Sequence, residues 1–407
     1  MLDFLRLAIP INIAFVRSLD NHHWFNGDIR DYGIPAATRH VSKSDDGQTI
    51  TGDLYHPYES LASDFTDMAM KFYTNTINTP PYVEIKASPL KLLQGHNVYG
   101  FESIELGADQ MLGMLIEAFP NLVPILDFER TEVLHLDTTY LFRLPHQNMV
   151  QPVLDYMANL ASGHRKARQI KYENYITWGN DGASVRPKAY GKFEEVKSQL
   201  NKIQKQADKG CQRSKALVCA MHDALPFANA VLRLEARICK TYMTKNGYPT
   251  NLFELIKLQH EQPELLLRLW HVAFDPILDT MKGKYMNFSS DGEILDLLKS
   301  KLVTYTKTGK PSYTKAMNAM KFYSLVRQMG LQATQKIYSK AQFHKCINSL
   351  LECEISKSHL QNLAKNPNGK VIPFVRMFEL KMCDQLPQDY QLPVSQYTPK
   401  QRLHLVA

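Results

Sequence analysis

Three segments of this 407-residue chain place a carboxylate inside an alternating apolar pattern, and a fourth places a tyrosine among cations. Between Tyr82 and Ala87, the apolar Val83, Ile85 and Ala87 alternate with Glu84 and Lys86. Between Glu132 and Tyr140, Leu134, Leu136 and Tyr140 lie on one side of the repeat and His135, Asp137 and Thr139 on the other. Between Val231 and Ile238, Leu232, Leu234, Ala236 and Ile238 oppose Arg233, Glu235 and Arg237. Side chains alternate across a strand, so each segment reads as a strand with a buried face and a polar face that carries an acid. If the three strands are neighbours in one sheet, Glu84, Asp137 and Glu235 converge as hard oxygen ligands suited to Mg²⁺ or Mn²⁺, ions that also prefer phosphate oxygens. The pattern equally suits a half-solvated antiparallel sheet with ordinary cross-strand acid–base pairs. In the fourth segment, Val185 to Lys192, a strand points Arg186, Lys188, Tyr190 and Lys192 to one side. Their charge there lowers the cost of a phenolate. Pro187 predicts an edge position for it.

The elements that must hold these residues follow from periodicity and punctuation. Strands are expected from Tyr82 to Ser88, Glu132 to Phe142, Tyr175 to Trp178, Val185 to Phe193 and Ala230 to Ile238, and helices around Ala108 to Ala118, Met149 to Leu160 and Phe193 to Asp208. After Pro249 the pattern turns helical: Asn251 caps Leu252 to His260, Pro263 opens Glu264 to Phe274, and Asp291 caps Gly292 to Leu302. Amphipathic stretches then run from Tyr313 to Gln328 and from Lys340 to Cys353. The expected class is α+β, with a mainly antiparallel sheet and flanking helices over 1–245 followed by an all-α module over 246–383. Pro387, Pro393 and Pro399 mark 384–407 as an extended tail.

Composition bounds the function. The chain is 44% hydrophobic and 22% charged, which excludes a disordered polyelectrolyte. No window approaches an uninterrupted membrane-spanning run, and a soluble, unexported protein of a reducing cytoplasm is expected. The six cysteines form no Cys-x-x-Cys pair, which argues against a structural zinc site and a disulfide framework. Between Ala161 and Lys215 there are thirteen Lys/Arg against five Asp/Glu, an excess as large as the +8 of the whole chain. Such a stretch suits a polyanionic partner, or a well-solvated helix and loop. Lys197 and Lys202 lie on the helix after Tyr190 and are candidate contacts to a nucleic-acid backbone, with Arg186 and Lys188. His96 and Asn97, in a turn between Gly95 and Gly100, are candidate contacts to phosphate or base edges.

At these residues the chain resembles the gene II replication initiators of filamentous bacteriophages. The resemblance rests on Val83-Glu84-Ile85-Lys86-Ala87-Ser88-Pro89, Leu93-Gln94-Gly95-His96-Asn97-Val98-Tyr99-Gly100, Leu136-Asp137, Tyr175-Ile176-Thr177-Trp178 and Leu232-Arg233-Leu234-Glu235-Ala236-Arg237-Ile238. It continues through Gly247-Tyr248-Pro249-Thr250-Asn251-Leu252-Phe253 and Leu351-Glu352-Cys353-Glu354-Ile355-Ser356-Lys357-Ser358. It implies an endonuclease domain that nicks and rejoins the origin through a tyrosine and Mg²⁺ or Mn²⁺. The nucleophile falls on Tyr190 of Tyr190-Gly191-Lys192, charge compensation on Lys192 and Arg233, and the metal ligands on Asp137, Glu235 and, as a third, Glu84. His135 offers one histidine where the two-histidine initiators need two, and it remains open as an added ligand. The implied partners are double-stranded supercoiled origin DNA, the displaced single strand, the host helicase and polymerase, and further copies of the chain on DNA, in the bacterial cytoplasm. The resemblance also touches Met286, where such phages place an internal start. A non-catalytic origin-binding regulator is the competing reading.

Overall fold

The computed structural model describes residues 1–35, 58–160, 175–180, 182–280, 292–364 and 380–398, with the backbone alone of 37–43, 50–55, 161–162, 165–169, 281 and 291. Met286, and the side chains of the cations between 165 and 171, lie outside the described residues.

Ten strands form one antiparallel sheet. They are β1 (Leu2–Pro10), β2 (Glu59–Ala62), β3 (Asp67–Tyr73), β4 (Tyr82–Ala87), β5 (Glu132–Arg143), β6 (Ala161–Ser162), β7 (Arg165–Gln169), β8 (Tyr175–Trp178), β9 (Val185–Gly191) and β10 (Val231–Cys239), in the order β6-β7-β8-β9-β10-β5-β1-β4-β3-β2. The alternation read from the sequence is the alternation of the sheet for Val83, Ile85, Leu136, Tyr140, Leu232, Leu234, Ala236 and Ile238, all buried in one apolar core; Leu134 departs from it, half-buried while Val133 takes the core position. β1, absent from the expected strands, lies at the centre between β5 and β4. Leu5, Leu7 and Ile9 do alternate along it, but the register shift between Leu2 and Phe4, where Asp3 is the extra residue, breaks the period that would have announced a strand; a second shift, between Arg6 and Leu7, places its extra residue, Leu134, on β5.

β9 is interior rather than an edge. Its pairing with β8 covers only Lys188 to Tyr190, so Pro187, opposite Ala236 of β10, faces no partner on its other side and removes no ladder bond there. Leu141 on β5 pairs with Arg233 of β10, but on its other side it lies beyond the reach of β1. The Gln385 carboxamide fills the gap, accepting from Leu141 N at 2.8 Å and donating to Leu141 O at 2.9 Å.

Helices α1 (Pro89–Gln94), α2 (Ile104–Ala118) and α3 (Val150–Met157) flank the sheet. α4 (Lys192–Ala207) and α5 (Gln212–Ala228) form a helical hairpin with its own apolar cluster of Val196, Leu200, Met221, Ala224 and Ala228 around Val98. α6 (Leu252–Glu261) begins where expected, with Asn251 Oδ1 accepting from the amides of Phe253 and Glu254 at 3.0 and 3.1 Å. α6 and α7 (Leu265–Leu278) nevertheless belong to the sheet's core, so the first unit extends past the expected boundary at 245. The physical reason is the apolar stripe of α7: Leu266, Leu269, Trp270, Ala273, Phe274 and Ile277 are fully buried there.

α8 (Asp291–Lys301), α9 (Thr314–Met329), α10 (Leu331–Ile337), α11 (Lys340–Glu352) and α12 (Lys357–Asn362) follow. α8, α9, α11 and α12 supply most of a separate core that includes Leu298, Phe322, Phe343 and Leu360. The described tail returns to the sheet unit, where Tyr390 Oη donates to Gln94 Oε1 at 3.3 Å and Ser395 Oγ to Gln110 Oε1 at 2.8 Å. Among the described residues no helix is long and apolar enough to cross a membrane.

Trp270 ties α7 to the sheet. Its indole donates to the Leu234 carbonyl at 2.9 Å, and its rings pack on Tyr140, Phe142 and Phe274. Trp270→Ala is expected to lower the unfolding free energy by about 3–5 kcal/mol, read from urea unfolding.

Candidate active site

The polar face of β10 carries Arg233, Glu235 and Arg237, with Tyr190 of β9 opposite Arg233, and Asp137 and Thr139 of β5 opposite Arg237 and Glu235. Tyr190 Oη donates to Glu235 Oε2 at 3.2 Å. Arg237 grips Asp137 with two bonds, Nε to Oδ1 at 2.8 Å and Nη2 to Oδ2 at 2.7 Å. Gly191, between Tyr190 and Lys192, leaves room for α3: a Cβ there would stand 2.7 Å from Val150 Cγ1.

Behind these groups runs a buried ionic chain. Arg233 is fully buried and pairs with Asp3 Oδ1 at 2.7 Å, and its other arm donates to the Asn97 carbonyl. The Asn97 side chain donates to Asp3 Oδ1 at 2.7 Å and accepts from Lys192 Nζ at 2.8 Å, while Lys192 also bonds Glu195. Asp3 and Glu195 are the site residues that the sequence did not announce. The Asp3 position is set by the register shift of β1, and Glu195 one turn after Lys192 was visible as an i,i+3 pair.

Electrostatics follow from burial. Burial pushes Asp137 up to about 7; Arg237 opposes this, while Glu235 and Asp3 add to it. Burial also disfavours the Asp3 carboxylate, yet Arg233 and then Lys192 hold it below its ordinary range. Lys192 is lowered to about 8 by burial, against the pull of Glu195. The sequence leads one to expect an eased phenolate at Tyr190, and the cations are indeed present: Lys188, Lys192 and Arg233 lie 4.9, 5.8 and 5.9 Å from its ring centre. Burial outweighs them, and the phenol stands well above its usual value. Its ionisation therefore calls for a proton acceptor, and Glu235 is at hand.

Other expected residues fall elsewhere. Glu84 is buried but does not join Asp137 and Glu235: it sits opposite Ala8 of β1, whereas Asp137 sits opposite Phe4. Its carboxylate is occupied by Arg6 at 2.5 Å and Tyr58 at 2.6 Å, with Lys86 at 3.8 Å. His96 and Asn97 are both buried, although Asn97 also lines the cavity that Asp137 and Glu235 line, and burial, with Lys192 and Arg233, lowers His96 to about 4. His135 is buried against Phe4, with Nε2 unpartnered, and burial with Arg237, Arg6, Arg186 and Lys86 lowers it to about 3. Arg186 and Lys188 are half-buried on β9, and Lys197 and Lys202 are exposed on α4. A second basic stretch is hidden from the charge balance because acids elsewhere offset it: from Leu302 to Leu351 there are eight Lys/Arg and no Asp or Glu.

Asp3, Asp137 and Glu235 line one cavity of about 350 Å³. Among the described residues no three metal-ligating side chains stand close enough to enclose an ion. A pair of hard carboxylates fits a cation that keeps several waters and completes its shell with phosphate oxygens, and the raised Asp137 carboxyl is the kind of group that such a cation would relieve.

The sequence that builds this sheet and its polar face is that of a bacteriophage replication protein. Residues 1–262 match the family model for the N-terminal part of the gene II replication-associated protein, and residues 305–396 match the model for its C-terminal part. The chain is 32% identical to the replication-associated protein of Enterobacteria phage fd over 412 residues, covering 97% of this chain and 99% of that one. It is 30% identical to the protein of the same name from Salmonella phage IKe, covering 97% of each. The chain belongs to the family of gene II replication-associated proteins.

The two buried acids should respond oppositely to neutralisation. Glu84→Gln removes the one carboxylate shared by Arg6, Tyr58 and Lys86 and is expected to cost about 3 kcal/mol of unfolding free energy. Asp137→Asn removes a carboxylate that burial already disfavours and frees a half-exposed Arg237, so its urea unfolding at pH 7 should stay within about 1 kcal/mol of the parent.

Proposed function

We propose that the protein is a replication initiator that nicks one strand of phage origin DNA by transesterification at Tyr190 and later rejoins the displaced strand. What supports this reading above all is the Tyr190–Glu235 hydrogen bond beside Asp137, Lys192 and Arg233. Tyr190 Oη attacks phosphorus, its proton passes to Glu235, and the bond from phosphorus to the 3′ oxygen breaks. The 3′ oxygen takes a proton from water and becomes the 3′-hydroxyl primer, Glu235 returns its own proton to solvent, and the 5′ phosphate remains esterified to the protein. The bond energy is kept, so a later 3′-hydroxyl can reverse the step. Arg233 and Lys192, buried behind Tyr190 and bonded to Asp3, Asn97 and Glu195, would add positive potential to the site without touching the substrate. Asp137, and Glu235 through the oxygen that does not accept from Tyr190, would hold Mg²⁺ or Mn²⁺, which when bound supplies further charge to a phosphate oxygen. The exposed Lys197 and Lys202, with the acid-free stretch 302–351, suit a DNA backbone.

Tyr190→Phe is expected to abolish both nicking of supercoiled origin plasmid and the covalent 5′ adduct seen on a denaturing gel; survival of either sinks the assignment. Asp137→Asn should slow nicking by about 10²–10³-fold with duplex binding retained. Lys192 loses its charge above about pH 8. kcat/KM for nicking should therefore fall as pH rises through that value, and Lys192→Arg should move the fall to higher pH.

A further inference from the structure

The cavity beside the acids has a second end that the reaction at Tyr190 does not use. It is lined by Lys86 and Ser88 at the close of β4 and by Lys91 of α1, and β1 separates β4 from β5, which carries Asp137. Ser88 precedes α1 but does not cap it, and its buried hydroxyl has no partner. Lys91 forms no ion pair with a described residue, although its charge is felt by Asp3, Lys192 and Glu195. Lys86 lies over the Tyr58 ring, 3.6 Å from its centre, and is only loosely paired with Glu84 at 3.8 Å. Asp67, the acid on this rim, is neutralised by Arg213 at 2.5 Å. A hydroxyl without a partner and two lysines lining the same cavity are a donor set, and what the hydroxyl lacks is an anionic oxygen.

We infer that this end of the cavity is a subsite for a phosphodiester of the DNA strand next to the one cleaved. Ser88 Oγ donates to a non-bridging oxygen, and Lys91, with Lys86, supplies the charge. The subsite rests on the reading of Tyr190 as nucleophile, and it deepens that reading by assigning residues that hold the strand in register as the scissile phosphate reaches the acids. Side chains that grip one phosphate fix position without reading bases.

The test couples one side chain to one phosphate. Once the nick is mapped from the 5′ end of the covalent adduct, origin duplexes carry a single uncharged methylphosphonate at each of the three phosphates on either side. At one position the substitution should slow adduct formation by wild-type protein about tenfold. Lys91→Met and Ser88→Ala should each be slower on native DNA yet lose nothing further from that substitution, while losing as much as wild type at the other positions. If the penalties multiply at every position for both variants, the subsite is wrong while the adduct on native DNA still upholds Tyr190. If wild type forms no adduct on native DNA, both ideas fall together.

Discussion

A guanidinium with no solvent around it must be matched by fixed negative charge and carbonyl oxygens, and Arg233 is such a group. Its partners come from distant parts of the chain: Asp3 from the central strand β1, and the Asn97 carbonyl from the loop after α1. Through Asn97 the same network reaches Lys192 at the start of α4. β1 and the loop must both be in position before Arg233 has its partners, and the loop in turn is tied to α4 through Lys192.

The polar face gathers groups that folding alone would not favour. Asp137 is lifted to about 7 by burial, and the Tyr190 phenol is pushed well above its ordinary value by the same cause. Neither shift helps the protein fold; each places a group in a protonation state that a substrate or a cation could change. The stability that tolerates them is supplied on the other face, where α7 and the strands share one continuous apolar core.

Much of this was legible in the sequence because alternation reports which face of a strand a side chain occupies. Tyr140, Asp137, Glu235 and Arg237 all fall on the side that their neighbours implied. Alternation does not report position along a sheet, which is why Glu84 was grouped with Asp137 and Glu235 although it pairs with Ala8, four residues along β1 from the partner of Asp137. The glycines flanking His96 and Asn97 correctly signalled a turn, with Gly95 at φ 80°, but not that the turn would be buried by Tyr99, Phe227 and Tyr390. Asp3 was illegible for a local reason: the bulge that aims it also erases the pattern that would have exposed β1. The placement of Pro187 inside the sheet depended on β8 being short, which no feature of Pro187 itself could tell.

The Gln385 clip on Leu141 has a consequence for how the chain comes off the ribosome. The middle strand of the sheet is made before its neighbours, yet it cannot be enclosed until β5 emerges more than a hundred residues later, and the exposed end of β5 waits for residue 385. Pairings so far apart in sequence are slow to close. The sheet of this protein is therefore completed only once the segment around residue 385 has been translated.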